Sequence, residues 1–265
     1  MKISIMVVCL NAGEALKETI ASIRSQKDAD YEIIVKDGGS KDGCTENLPD
    51  DPRIRLVVQK DSGIYDAMNQ ASQYVTGDVA MYMNCGDRFY NDTVLKDITE
   101  HIGKTSDLKQ IFYGDCFTAN RDYILRYPDV FDDYVCYTMV LCHQATVYPA
   151  SLLHQRQFAA GYKMAADFEY YTYAYKNGYT LTHLPVVIAW YEGNGASEKQ
   201  INRKLALEER ERAIKTHFSK TDYKKVRRKA FLHGVGIKNF LVKQDWLYPI
   251  YSRLAKIYYS IKTKK

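Results

Sequence analysis

The sequence predicts an α/β fold: a doubly wound mixed sheet with a parallel first half and helices on both faces. Three observations carry that expectation. Apolar runs of strand length recur at residues 3–10, 31–36, 54–60 and 79–83. Between them apolar residues fall at helical spacing, first as Leu16, Ile20 and Ile23, then as Ile64, Ala67, Met68, Ala71 and Val75. Three of the runs are followed by a carboxylate beside glycine, at Asp37, Asp61 and Asp87. Parallel strands all leave the sheet on one side, so these acids would share the rim where open α/β sheets keep their ligands.

Each element has its own justification. The near-continuous apolarity from Ile3 to Leu10 marks a strand buried on both faces. Asn11 with Glu14 three residues later has capping-box spacing for the helix that follows. The Gly38-Gly39-Ser40-Lys41-Asp42-Gly43 turn after the second strand offers backbone N–H groups suited to an anion. A Pro49/Pro52 turn leads to the third strand, and the helix after Gly63 returns the chain to the fourth. Beyond Asp87 the pattern loosens into a surface helix over 91–102, strands near 110–114 and 123–127, and an aromatic wall over 132–148 that contains His143-Gln144. A short helix around Leu152-Leu153 and an aromatic-rich helix opened by Asp167 follow. Pro185 inside the 181–189 strand predicts an edge position. The Gly/Asn-rich 190–197 loop has the composition of a lid, and a charged helix runs over 199–218.

Composition bounds the class. A chain of 265 residues with 46% apolar content can bury a large core without disulfides. None of its six cysteines forms a CxxC pair, and Cys9 and Cys85 lie in or beside strands, as reduced packing residues do. The first apolar run is too short for a secretion signal, and no run is long enough to span a bilayer. Residues 220–265 carry 13 Lys or Arg against Asp222 and Asp245. That segment is therefore +11 in a chain of net charge +5, and the first 219 residues sum to −6. An acidic body argues against nucleic acid as the partner; a basic tail points to an anionic surface.

Taken singly, Asp37 reads as a cap on its glycine turn and Asp61 as an N-cap. Taken together they describe a cation or polar-ligand site. The phosphate loops of dinucleotide and P-loop proteins are absent, because Asn11-Ala12-Gly13-Glu14 follows the first strand. His101, His154, His183, His217 and His233 have no metal-ligand spacing, and no serine or cysteine pattern supports a nucleophile–histidine relay.

The segments 5–11, 32–43, 61–69 and 83–87, in that order and spacing, resemble the family 2 inverting glycosyltransferases of bacteria, in the branch that builds capsule, exopolysaccharide or O-antigen repeat units. The resemblance covers residues 3–90 closely and extends more loosely to about 200. It implies a GT-A fold, Rossmann-like, with a nucleotide-sugar-binding half over 1–90, an acceptor-side half over 91–219 and a basic aromatic helical tail over 220–265. It implies a UDP-sugar donor and Mg²⁺ or Mn²⁺. Asp37 and Asp61 would contact the nucleoside, with Leu10, Asn11 and Gly38 beside it and Asn84, Cys85 and Gly86 in the donor loop. Asp87 takes the last position of the family's Asp-x-Asp metal motif, whose first position here is Cys85, a residue not expected to bind the metal.

Asp167, at the matching helix start, would be the general base, with Glu169 as an outward-facing rival. His143, Gln144, Asn194 and Ser197 would lie on the acceptor or diphosphate side. The acceptor would be a glycan on a polyprenyl-diphosphate carrier at the cytoplasmic leaflet, met by a peripheral, cytoplasmic enzyme. A sugar-phosphate nucleotidyltransferase and a non-catalytic nucleotide-sugar-binding protein remain the alternatives.

Overall fold

The computed structural model describes residues 1–103, 109–193, 200–233 and 253–254. Four strands build the parallel half: β1 (Lys2–Cys9), β2 (Asp30–Asp37), β3 (Ile54–Val58) and β4 (Val79–Tyr82), in the order β3-β2-β1-β4. The sheet continues through β8 (Thr146–Pro149), antiparallel to β4, then β6 (Gln110–Thr118), β9 (Thr180–Tyr191) and β5 (Arg88–Phe89); β7 (Tyr123–Leu125) pairs with β6.

Alternation along β1 sorts the core into two layers. Ile3, Ile5, Val7 and Cys9 pack with Leu16, Ile20 and Ile23 of α1 (Glu14–Arg24) and with Val94, Leu95 and Ile98 of α3 (Val94–Ile102). On the other face Met6 and Val8 join Ala67, Met68 and Ala71 of α2 (Ile64–Ser72) and Phe168, Tyr170 and Tyr171 of α6 (Ala166–Lys176). Helices thus cover both faces, and these α6 aromatics are core.

Several local expectations are corrected. Asn11 forms no capping box: Gly13, at φ 53°, precedes α1 without a side-chain cap. Asn11 itself stands at φ 51°, a conformation that asparagine tolerates better than most residues. Its backbone N–H donates to Ser40 Oγ at 2.8 Å and its Oδ1 accepts from Lys41 N at 2.8 Å, so it ties together the loops after β1 and β2. The aromatic wall resolves into α4 (Asp133–Thr138), a 3₁₀ turn at His143–Ala145, β8 and α5 (Ala150–Gln155).

Pro185 is not on an edge strand, because β9 lies between β6 and β5. Gly114 pairs with Leu184 and Asp115 with Val187, leaving Pro185 and Val186 in a bulge where the missing N–H breaks no ladder bond. A side chain at position 114 would stand 2.6 Å from the Val186 carbonyl, which accounts for glycine there.

The charged segment forms α7 (Gln200–His217), and the tail begins as α8 (Lys220–Leu232), whose Val226 and Ala230 are buried. Docking on α4 includes Lys229 Nζ 4.5 Å above the Tyr134 ring and a Tyr137–Tyr223 edge contact. The second half of the 190–197 lid, with Asn194 and Ser197, and the tail beyond His233 apart from 253–254 lie outside the described residues. Among the described residues no helix is long and apolar enough to cross a membrane.

Candidate active site

The rim begins where β2 ends. Asp37 is buried, and its carboxylate accepts from Gly39 N at 3.2 Å, Ser40 N at 3.0 Å and Ser40 Oγ at 2.6 Å, which fixes the glycine turn. Gly38 sits under Leu10 and Asp61: a side chain there would meet Asp61 Oδ2 at 2.7 Å and Leu10 Cδ1 at 3.2 Å. Leu10 is 58% exposed, an apolar surface beside that open backbone. Asp61 accepts from Gly63 N at 3.1 Å and forms an ion pair with Lys36, which is 0% exposed. An ammonium buried in a central strand is tolerable only because this carboxylate answers it.

Asp87 lies past the end of β4. Gly86 turns at φ 95° and donates its N–H to Thr19 Oγ1 at 3.0 Å; Thr19 Oγ1 in turn donates to the Asp87 carbonyl at 2.8 Å. The Asp87 carboxylate accepts from Gln144 Nε2 at 2.5 Å and from Glu192 N at 2.9 Å. Burial pushes its pKa up to about 6 and the Glu192 charge adds to that, against the lowering effect of the two hydrogen bonds. Glu192 Oε2 comes within 2.7 Å of where a Gly86 side chain would begin, and Asn84 Oδ1 is buried without a partner.

These are hard oxygen donors in a place short of positive charge, and they fit Mg²⁺ or Mn²⁺. Among the described residues no cluster of three His, Cys, Asp or Glu would hold a metal ion, so substrate oxygens and water would complete the shell. The Cys85 thiol is directed to the Val8 carbonyl at 3.5 Å.

Asp167 is the second residue of α6 and accepts from Tyr65 Oη at 3.0 Å. Tyr65 belongs to α2, the helix that Asp61 and Gly63 introduce, so this bond joins α2 to the start of α6. His143 stacks on Tyr82, centroids 5.0 Å apart, and neither ring nitrogen has a hydrogen-bond partner. Burial lowers the His143 pKa, with Asp167 opposing, so the imidazole is neutral at neutral pH. Burial also lowers the pKa of the Arg210 guanidinium on α7, while Tyr171 and Asp167 raise it.

Leu10, Asn11, Asp37, Gly38 and Asp61 are thus gathered near the ends of β1, β2 and β3. Asn84, Cys85, Gly86 and Asp87 follow β4, Gln144 binds Asp87, and Asp167 connects to α2 through Tyr65. Glu169 does not face outward. It is buried between Arg156 Nη2, at 2.7 and 2.9 Å, and His217 Nε2, at 2.6 Å. Two residues along a helix point to nearly opposite sides, which turns Glu169 away from Asp167. Lys36, Tyr65, Glu192 and Arg210 were not among the expected site residues. A lysine within an apolar strand is a readable signal for the first; the others depend on tertiary phase.

Residues 4–135 match the family described as Glycosyl transferase family 2. A PGL/p-HBAD biosynthesis glycosyltransferase of Mycobacterium tuberculosis is 27% identical over 210 residues, 75% of this chain and 79% of that one. The chain is a glycosyltransferase, and its first half is similar to family 2. Among solved structures, the mannosyltransferase PcManGT from Pyrobaculum calidifontis, in complex with GDP-Man and Mn²⁺, superposes with a TM-score of 0.67 at 18% identity, covering 96% of this chain and 73% of that one. S. aureus TarS 1-349 gives 0.59 at 17% identity over 79% of this chain; the match spans 65% of that structure, under two thirds of its length. The fold of this glycosyltransferase is accordingly GT-A, a mixed Rossmann-type sheet flanked by helices.

The Lys36–Asp61 pair gives a test of stability. Lys36→Met strands a carboxylate and should lower the unfolding free energy by about 3–5 kcal/mol in urea denaturation. Adding Asp61→Leu should restore most of it. A single-variant loss below about 1 kcal/mol would show that Asp61 does not depend on Lys36.

Proposed function

We propose that this enzyme is an inverting transferase that moves a hexose or N-acetylhexosamine from a UDP-sugar to a hydroxyl of a growing, lipid-linked cell-surface glycan. The observation that carries the proposal is the Tyr65–Asp167 hydrogen bond, which ties α2, the helix that follows Asp61 and Gly63, to the start of α6. In this reading Asp61 serves the donor side and Asp167 the acceptor side. Leu10 beside Gly38 offers an apolar surface for a pyrimidine, with Asp37 and Asp61 at its edge. S. aureus TarS 1-349 has been solved with UDP-GlcNAc and PcManGT with GDP-Man, so related folds hold nucleotide sugars of either base.

Asp87, with Asn84 and Glu192 next to it, would hold the divalent cation. When bound, that cation stabilises the negative charge that grows on the departing diphosphate. His143, stacked on Tyr82, would lie on the acceptor or diphosphate side. Asp167 accepts the proton of the attacking hydroxyl as the new oxygen–carbon bond forms and the bond to diphosphate breaks. Tyr65 fixes its carboxylate. Attack opposite the leaving group is a single displacement, so the configuration at the anomeric carbon inverts.

Two substitutions test the two sides. Asp87→Ala should abolish UDP release from UDP-sugar and remove the enhancement of UDP binding by Mn²⁺ in calorimetry; equal enhancement in both proteins would exclude Asp87 as the anchor. Asp167→Asn should leave UDP affinity intact and lower kcat by about 10²–10⁴-fold, the range that general-base catalysis contributes. A near-normal kcat at saturating acceptor would exclude Asp167 as base, and NMR showing retention in the product would exclude single displacement.

The lipid-linked acceptor agrees with the outer surface of α8. Lys224, Lys225, Arg227 and Arg228 are exposed there, and so are Phe231 and Leu232. Basic residues beside exposed apolar ones suit the anionic inner face of the cytoplasmic membrane, each contributing about 1 kcal/mol near the surface. Replacing those four basic residues by Gln should weaken sedimentation with vesicles containing anionic lipid, spare transfer to a short soluble acceptor, and be mimicked in part by added salt. Identical sedimentation at low salt would leave α8 as packing alone.

A further inference from the structure

Glu209 stands in the middle of α7, 4% exposed. Its Oε1 accepts from Lys163 N at 2.8 Å; its Oε2 accepts from Met164 N at 2.8 Å and Ala165 N at 3.0 Å. Three consecutive backbone N–H groups thus converge on one carboxylate, and among the described residues no cationic side chain pairs with it. The segment it grips runs directly into α6. Ala165 is the N-cap of that helix and has no side chain able to cap it, so a negative charge from another helix serves the same end. Asp167 follows two residues later.

A second hook lies three residues along α7. Arg212 Nη2 donates to the Gly161 carbonyl at 2.5 Å, and its guanidinium sits 4.1 Å above the Tyr162 ring. Glu209 and Arg212 share one face of the helix and together hold residues 161–165. Arg210, between them, is the guanidinium whose charge and that of Asp167 act on each other.

We propose that Glu209 is a positioning residue for glycosyl transfer, holding the 163–165 backbone so that Asp167 meets the acceptor hydroxyl in reactive geometry. This rests on Asp167 being the base. The carboxylate satisfies three donors that an apolar side chain would leave unpaired. Here it fixes the aim of the residue two places on, where an error of about 1 Å can cost about 10²-fold in rate.

The test is a cycle of full-length variants, with kcat and donor KM measured at saturating acceptor and UDP affinity measured by calorimetry. Glu209→Gln keeps the side-chain size but turns an NH₂ toward an N–H donor. It should lower kcat by at least about 10-fold, within that positioning range, with UDP affinity and donor KM within about twofold. In the Asp167→Asn background the same substitution should cost no more than about twofold, because the group it positions no longer acts. Arg212→Ala, at an exposed position, loosens the same segment more gently and should show a smaller loss that also vanishes with Asp167→Asn; it decides the matter if E209Q does not fold. Equal losses in both backgrounds, or a wild-type kcat in E209Q, overturn the proposal while leaving a slow Asp167→Asn, and hence the base, intact. A normal rate in Asp167→Asn alone overturns both.

Discussion

The carboxylate of Asp87 is bound by partners 57 and 105 residues further along the chain, the Gln144 amide and the Glu192 N–H. The site depends on that convergence. The parallel half of the sheet delivers Asp87 to the rim, but the antiparallel half decides what it meets there. β8 carries the chain on from the 3₁₀ turn that holds Gln144, and β9 ends one residue before Glu192. A buried carboxylate with a raised pKa and only neutral donors around it is electrostatically incomplete, and a cation is the simplest completion. The surroundings of Asp87 are therefore a joint product of both halves of the sheet.

Stability and chemistry use the same residue types differently. Glu169 is matched by Arg156 and His217, and Asp115 by Arg126 and His183, in clusters where every charge has a close counterpart. Around the candidate site, by contrast, Asn84 Oδ1 and both nitrogens of His143 lack partners, and Asp167 has a single neutral donor in Tyr65. Unmet polar groups cost free energy; these three atoms lie near the candidate site, while Gln70 Oε1, Arg88 Nε and Arg156 Nη1 are others elsewhere in the fold.

Much of this was legible in the sequence where a local rule had no competitor. Four apolar runs, their order and the acids at their ends give the parallel half, since a strand buried on both faces has few alternatives. The helix opened by Asp167 was equally plain. Asn11 was misread because capping-box spacing is a local pattern, while its amide was claimed by Lys41, thirty residues away. Pro185 was misplaced because a proline signals only a missing hydrogen bond, which an edge and a bulge satisfy equally. Glu169 illustrates a third limit. Spacing along a helix shows that it opposes Asp167 but cannot say whether that side meets water or Arg156. Tyr65 and Glu209 carry no local mark at all, for their importance comes from elements distant in sequence.

The irregularity in β9 makes the length of that strand as significant as its composition. Its pairing offset against β6 grows from 70 at Gly114 to 73 at Cys116, an odd change that reverses which side of the sheet each later residue faces. β5, which begins immediately after Asp87, pairs with the strand only beyond this point, at Ala189 and Trp190. Losing one residue between Leu184 and Ala189 would rotate the Glu192 N–H away from the carboxylate it serves, although every side chain around Asp87 remained in place. This stretch should therefore tolerate exchange of apolar side chains far better than any change in the number of residues.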